Sequence, residues 1–252
     1  MNQFSIIKVF SIMLAIAVSS CSKTEDIVKP DVIHWNYEHP DWQTQGFSEC
    51  AGPIQSPVDI QTNSTIKVDL PNLDFNYSAF PIKILDNGHT LQVNNNGTNR
   101  VVYNKKTYDF KQFHLHYHSE HLLDGVASDM ELHLVHQDPS SGALLVVGFF
   151  LKKGVSNSLI ESVLSNWPKQ KETEVSATTS IDLNSLLPSD KRYYTYMGSL
   201  TTPPCSQGVL FFIVKTPIEV SSAQIDQFKA HYDHNARPVQ PLNSRLLYED
   251  VL

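Results

Sequence analysis

The chain of 252 residues predicts a mainly β protein, with one domain, many strands and small helices at its periphery. Three observations carry this reading. Between Ile66 and Val102, short alternating or apolar runs are cut by turn residues, the pattern of many short strands. ALLVVGFFL at 143–151 is an unbroken apolar run, as expected of a strand buried on both faces. Only two stretches show helical spacing, and both are short. No internal repeat or low-complexity block marks a second domain.

The elements follow in chain order. Residues 1–20 read as a signal peptide. FSIIKVFSIMLAIAV at 4–18 is apolar apart from Lys8 and the serines, and it is short for a bilayer span, which needs about 20 apolar residues. Val18-Ser19-Ser20-Cys21 resembles a bacterial lipobox, whose cysteine is lipidated and becomes the new N-terminus. A polar stretch, SKTEDIVKPD, follows at once, so Cys21 reads as the lipidation site and residues 21–33 as an unstructured tether. The expectation is an exported lipoprotein, periplasmic or at the cell surface, that meets the membrane only through this anchor.

The globular domain spans 34–252 and begins near His34-Trp35. IKVDL, FNYSAF, IKIL, TLQV and RVVY are the short strand candidates, separated by Pro71, Asn87-Gly88 and the turn at 94–97. Asn87-Gly88 is a strong hairpin signal. Gly148 inside the long apolar run points to a close backbone approach. The first helix is expected over Asn157 to Leu164, where Leu159/Val163 and Ile160/Leu164 are four apart and Ser158 and Glu161 stand in capping-box register. The second runs from Ser221 to Ala230, with Ser221 and Gln224 in the same register and Ile225 and Phe228 inward. Val209 to Val214 reads as a further strand. Pro238 to Leu242 reads as an extended wrap. Hydrophobic residues make up 41% and charged residues 18%, enough for one large core, and the formal net charge is −7. A mildly acidic chain lacks the basic face that nucleic-acid binding needs.

The chemistry concentrates in KQFHLHYHSEHLLDGVASDMELHLVH at 111–136. A strand alternates its side chains, so His114 and His116 share a face with Gln112. Past the Asp124-Gly125 loop, Glu131, His133 and Val135 share a face, with Leu132 and Leu134 on the other. Two such strands lying together would aim three imidazoles at one point, which suits Zn²⁺ and leaves a fourth position for water. His118 falls on the same nominal face and stays open as a ligand. Gln112 and Glu131 each precede a proposed ligand by two residues and can accept its second ring N–H, as ligating imidazoles require. A histidine-rich stretch binding metal without specificity is the plainer alternative.

QFHLHYHSEH and ELHLVH, with HWNY at 34–37, QSPVDI at 55–60, DNGH at 86–89, GSLTTPP at 198–204 and RPVQPL at 237–242, resemble the α-class carbonic anhydrases, and the motifs stand in that family's order. The resemblance implies a large, twisted, mostly antiparallel central sheet. It implies reversible hydration of CO₂ to bicarbonate by zinc-bound hydroxide, with Zn²⁺ on His114, His116 and His133. Thr201, bonded to Glu120, would orient that hydroxide, and His89 would shuttle the proton along ordered water near Tyr37, Asn87 and Gln92. Gln92 stands where many members carry asparagine. Val135, Val146, Leu200 and Thr202 would line the CO₂ pocket, with Phe211 in place of the usual tryptophan making it slightly roomier. The resemblance also pairs Cys50 with Cys205, as an even cysteine pair in an exported chain suggests.

A binding module on the same fold without hydration activity is the second reading. Loss of a ligand histidine would favour it, and all three stand here. Ester hydrolysis at the same centre is a plausible side activity. A homodimer is left open.

Overall fold

The computed structural model describes residues 34–95 and 97–252. The signal segment, Cys21 and the tether lie outside them. The described residues fall in one structural unit, and no helix among them is long and apolar enough to cross a membrane.

The alternating runs become strands. Phe80–Asp86 alternates between buried and more exposed positions, and its partner Leu91–Asn94 pairs antiparallel with it. The connection at 87–90 is four residues long, closed by Asn87 N–H donating to Thr90 O at 3.1 Å, and Gly88 supplies its positive φ of 85°. Leu91–Asn94 in turn pairs with Lys106–His116, which pairs antiparallel with Met130–Gln137. Next lies Leu144–Lys153, buried through its centre. It is sandwiched between Met130–Gln137 and Gln207–Val220, as its continuous apolar run predicted.

The large sheet is mostly antiparallel, with parallel neighbours where Leu144–Lys153 meets Gln207–Val220 and where Tyr248–Asp250 meets Ile66–Val68. The Gln207–Val220 strand is much longer than the 209–214 core predicted for it. Glu174–Ile181, a mostly exposed strand beside Phe80–Asp86, and Tyr193–Ser199 were not among the expected strands. Neither shows alternation. The first is exposed at six of its eight positions, and four consecutive positions of the second are buried.

Alternation sorts the sheet into two cores. Leu132, Leu134, Phe113, Leu115, Val147 and Phe149 enter the larger one. Val146, Phe150, Phe211 and Ile213 enter the smaller one, with Val135 and Leu200 against it. Both helices pack on the larger core through Leu159, Ile160, Val163, Ile225 and Phe228. The second helix, Ser222–Lys229, has the predicted capping box of Ser221 and Gln224. The first, Ser158–Leu164, does not use Ser158. Asn157 is its N-cap, and its side chain accepts from the backbone N–H groups of Leu159 and Ile160. Pro238 to Leu242 forms neither helix nor strand and is held by Gln240 N–H donating to Pro57 O at 2.7 Å. A disulfide joins Cys50 to Cys205 across 155 positions of sequence.

Candidate metal centre

Register brings the histidines together. His133 sits opposite His114, and Glu131 opposite His116, across the Lys106–His116 and Met130–Gln137 pair. One ring nitrogen from each of His114, His116 and His133 lies within 4.8 Å of the others. His118 takes no part. The strand ends at His116, so alternation no longer governs His118, which is exposed with its ring stacked on Tyr117.

The other ring nitrogen of each is engaged. His114 Nδ1–H donates to Gln112 Oε1 at 2.9 Å. His116 Nδ1–H donates to the backbone oxygen of Asn235 at 2.7 Å. His133 Nε2–H donates to Glu131 Oε1 at 2.7 Å. These acceptors fix the tautomers, leaving Nε2, Nε2 and Nδ1 as lone-pair donors. His116 Nε2 is buried without a hydrogen-bond partner, a costly state that a bound metal would relieve. Burial, then the two neighbouring imidazoles, pushes His114 well below its ordinary pKa. Burial also lowers His116, against the pull of Glu120. His133 is displaced upward, because Glu131 and then Glu120 outweigh its burial. The residues present therefore fit a metal ion that takes three imidazole nitrogens.

Asn235 was not identified in the sequence, although it stands two residues before the Arg237 that opens RPVQPL. It is fully buried. Besides holding His116, it donates Nδ2–H to the backbone oxygen of His89 at 3.2 Å and accepts Tyr117 N–H on Oδ1 at 2.7 Å. His121 was also missed. It donates Nδ1–H to Glu131 Oε1 at 2.7 Å, accepts from the Tyr196 hydroxyl at 2.6 Å, and so braces Glu131 from behind. Its position inside SEH was the only sequence signal.

Glu120 is buried beside the centre, with Oε2 at 3.5 Å from His116 Nε2 and 3.8 Å from His133 Nδ1. Its Oε1 accepts the backbone N–H of Arg237 at 3.0 Å, and Oε2 has no hydrogen-bond partner. The expected hydrogen bond from Thr201 to Glu120 is therefore not formed here. Thr201 is buried between Leu200, which packs on the Val146 and Phe211 cluster with Val135, and Thr202, which lines the cavity over the histidines.

That cavity, about 110 Å³, is lined by Tyr37, Asn87, His89, Gln92, Gln112, His114, His116 and Thr202, with Trp35 and Thr90. Larger hollows elsewhere, such as the 1180 Å³ one between Asn72 and Arg192, hold none of this chemistry. The His89 ring stacks on Trp35, centroids 3.7 Å apart. Asn87 Oδ1 accepts the N–H groups of His89 and Thr90, and its Nδ2–H donates to Gln92 Oε1 at 3.2 Å. Phe211 lies 5.8 Å from the His133 ring and stacks on Tyr196.

A strand-built cluster of three imidazoles beside a cavity lined largely by polar residues is a donor set that could hold a metal ion of an enzyme site. Residues 37–251 match the family described as eukaryotic-type carbonic anhydrase. A carbonic anhydrase of Nostoc sp. is 38% identical over 250 residues, covering 95% of this chain and 94% of that protein. One from Klebsiella pneumoniae is 38% identical, covering 86% and 91%. The solved α-carbonic anhydrase of Thermovibrio ammonificans, in complex with the inhibitor sulfanilamide, superposes with a TM-score of 0.83 at 37% identity, covering 86% of this chain and 99% of that one. The chain belongs to the α-carbonic anhydrase family, and as an enzyme of that family it acts on carbon dioxide.

Proposed function

We propose that this carbonic anhydrase interconverts CO₂ and bicarbonate with Zn²⁺ held by His114, His116 and His133, and that His89 carries the proton out. The convergence of three tautomer-fixed nitrogens supports the reading above all. When bound, zinc supplies a Lewis acid that brings the pKa of water from 15.7 to about 7, the established figures for this enzyme class.

The chain's own residues do the rest. Gln112, Asn235 and Glu131 hold the three rings in register. A hydroxyl donates once, so if Thr201 turns to give its proton to the free Oε2 of Glu120, it can only accept from the attacking oxygen. That aims the oxygen's lone pair at the carbon. Val135, Val146, Leu200 and Phe211 form a wall for an apolar substrate with few polar handles, and Thr202 closes the polar side. His89 sits half-buried at the cavity mouth. Burial and then Lys171 lower its pKa, against Glu172. It is therefore neutral at physiological pH and ready to accept a proton. Tyr37, Asn87 and Gln92 give water a polar track between the centre and His89. Export with a diacylglyceryl anchor on Cys21 completes the proposal, on the strength of the lipobox and the polar stretch after it.

Stopped-flow CO₂ hydration before and after stripping with a chelator tests the reading. Activity should vanish and return with added zinc; activity that survives complete stripping would contradict it. Mass spectrometry of membrane-extracted protein tests the anchor, and an unmodified N-terminus would refute it.

A further inference from the structure

Asp86 ends the Phe80–Asp86 strand, three residues before His89. It is 3% exposed. A carboxylate so deeply buried is costly unless its oxygens are paired, and here three donors reach them. Gly88 N–H, from the turn itself, donates to Oδ1 at 3.1 Å. The indole N–H of Trp167, just beyond the first helix, donates to Oδ2 at 3.0 Å. The hydroxyl of Tyr232, just beyond the second helix, donates to Oδ1. The backbone oxygen of Asp86 also accepts Glu172 N–H at 2.6 Å. Neither Trp167 nor Tyr232 touches the histidine cluster or the apolar wall. Both are packed in place, with Trp167 stacked on His231 at 3.9 Å and Lys171 Nζ 5.1 Å from the Tyr232 ring.

The turn that Asp86 anchors carries His89. On its other side the His89 ring leans on Trp35, and its backbone oxygen is held by Asn235, the residue that also orients His116. The ring is thus located relative to the metal ligands by fixed supports on both sides. We propose that Asp86 is a positioning residue for proton transfer, clamping the His89 turn to Trp167 and Tyr232. This rests on His89 being the proton carrier.

The two ideas separate in stopped-flow CO₂ hydration in dilute buffer, with and without added imidazole, on wild type, His89→Ala, Asp86→Asn, Tyr232→Phe and the Asp86→Asn/His89→Ala pair. Proton export follows bicarbonate release, so it limits kcat and does not enter kcat/KM. Asp86→Asn and Tyr232→Phe should lower kcat about three- to tenfold, inside the ~10²-fold that a 1 Å misplacement can cost. Both should keep wild-type kcat/KM and recover with imidazole, and Asp86→Asn should add nothing to His89→Ala. Tyr232→Phe removes a single hydrogen bond and keeps the ring, so it reports even if Asp86→Asn fails to fold. If His89→Ala slows kcat while both clamp variants turn over like wild type, the clamp is wrong and the shuttle stands. If kcat and kcat/KM fall together in the clamp variants, Asp86 is merely structural. An unchanged kcat in His89→Ala removes the shuttle and this inference with it.

Discussion

Glu131 Oε1 accepts the Nε2–H of His133 at 2.7 Å, across two positions of one strand face. That bond decides which nitrogen of the third imidazole faces the centre. Burial alone would raise the Glu131 carboxyl, but the His121 and His133 rings overcome it and hold it well below the usual carboxylate range. Glu131 is thus a fixed anion behind a ligand, which raises the basicity of that ligand.

Glu131→Gln keeps the shape and removes the charge. It should weaken zinc affinity by about 10–100-fold, the usual cost of losing such a support, read by competition with a chromogenic chelator. Wild-type affinity in this variant would mean that the carboxylate does not tune the site.

Gly148 lies opposite His133 in the next strand. A Cβ there would stand 2.6 Å from Ile213 Cδ1, 3.2 Å from Glu131 Oε1 and 3.5 Å from His133 Cδ2. Gly148→Ala should therefore cost about 1–3 kcal/mol through overpacking and loosen zinc as well, seen as a lower thermal midpoint and faster metal release. A variant unchanged in both would show that the core yields freely at this point.

The Cys50–Cys205 bond closes a loop spanning 155 residues. Its reduction should remove up to ~5 kcal/mol by chain entropy, lowering the urea midpoint. Activity should fall too, because Cys205 directly follows the Thr201–Pro204 loop. Coincident urea curves with and without reductant would contradict this.

His136 is fully buried, with its Nε2 2.7 Å from the Tyr77 hydroxyl. Burial lowers its pKa from 6.5 to about 3. The folded value lies below the unfolded one, so the stability tied to the neutral ring is complete above the unfolded pKa and is lost as pH falls toward the folded one. The stability advantage of wild type over His136→Gln should narrow by ~3 kcal/mol between about pH 7 and about pH 4. A gap independent of pH would show that His136 takes up its proton equally in both states.

Wherever a side-chain period meets a buried face, the sequence is legible. Lys106–His116 and Met130–Gln137 could be read with the correct faces because polar ligands alternate with Phe113, Leu115, Leu132 and Leu134. Glu174–Ile181 could not, because an exposed edge strand imposes no alternation. Gln112 and Glu131 were legible because they precede their ligands by two residues on one strand. Asn235 lies 119 residues from His116 and acts through its backbone oxygen, which no residue type encodes. The pairing of Cys50 with Cys205 came from the cysteine count of an exported chain together with family resemblance, since two cysteines far apart in sequence carry no local signal. Thr201 and Glu120 were named from the same resemblance; Oε1 of Glu120 accepts from Arg237, and its Oε2 stands open to a donor.

On the proposal made above, His114, His116 and His133 bind one zinc ion and leave a position open. A neighbouring group of His121, Glu131 and His133 is the competing donor set. X-ray absorption at the zinc edge of the loaded enzyme separates the two. Three imidazoles and one exchangeable oxygen at about 2.0–2.1 Å is the predicted result. Two imidazoles, or a single one, with a protein carboxylate would contradict it.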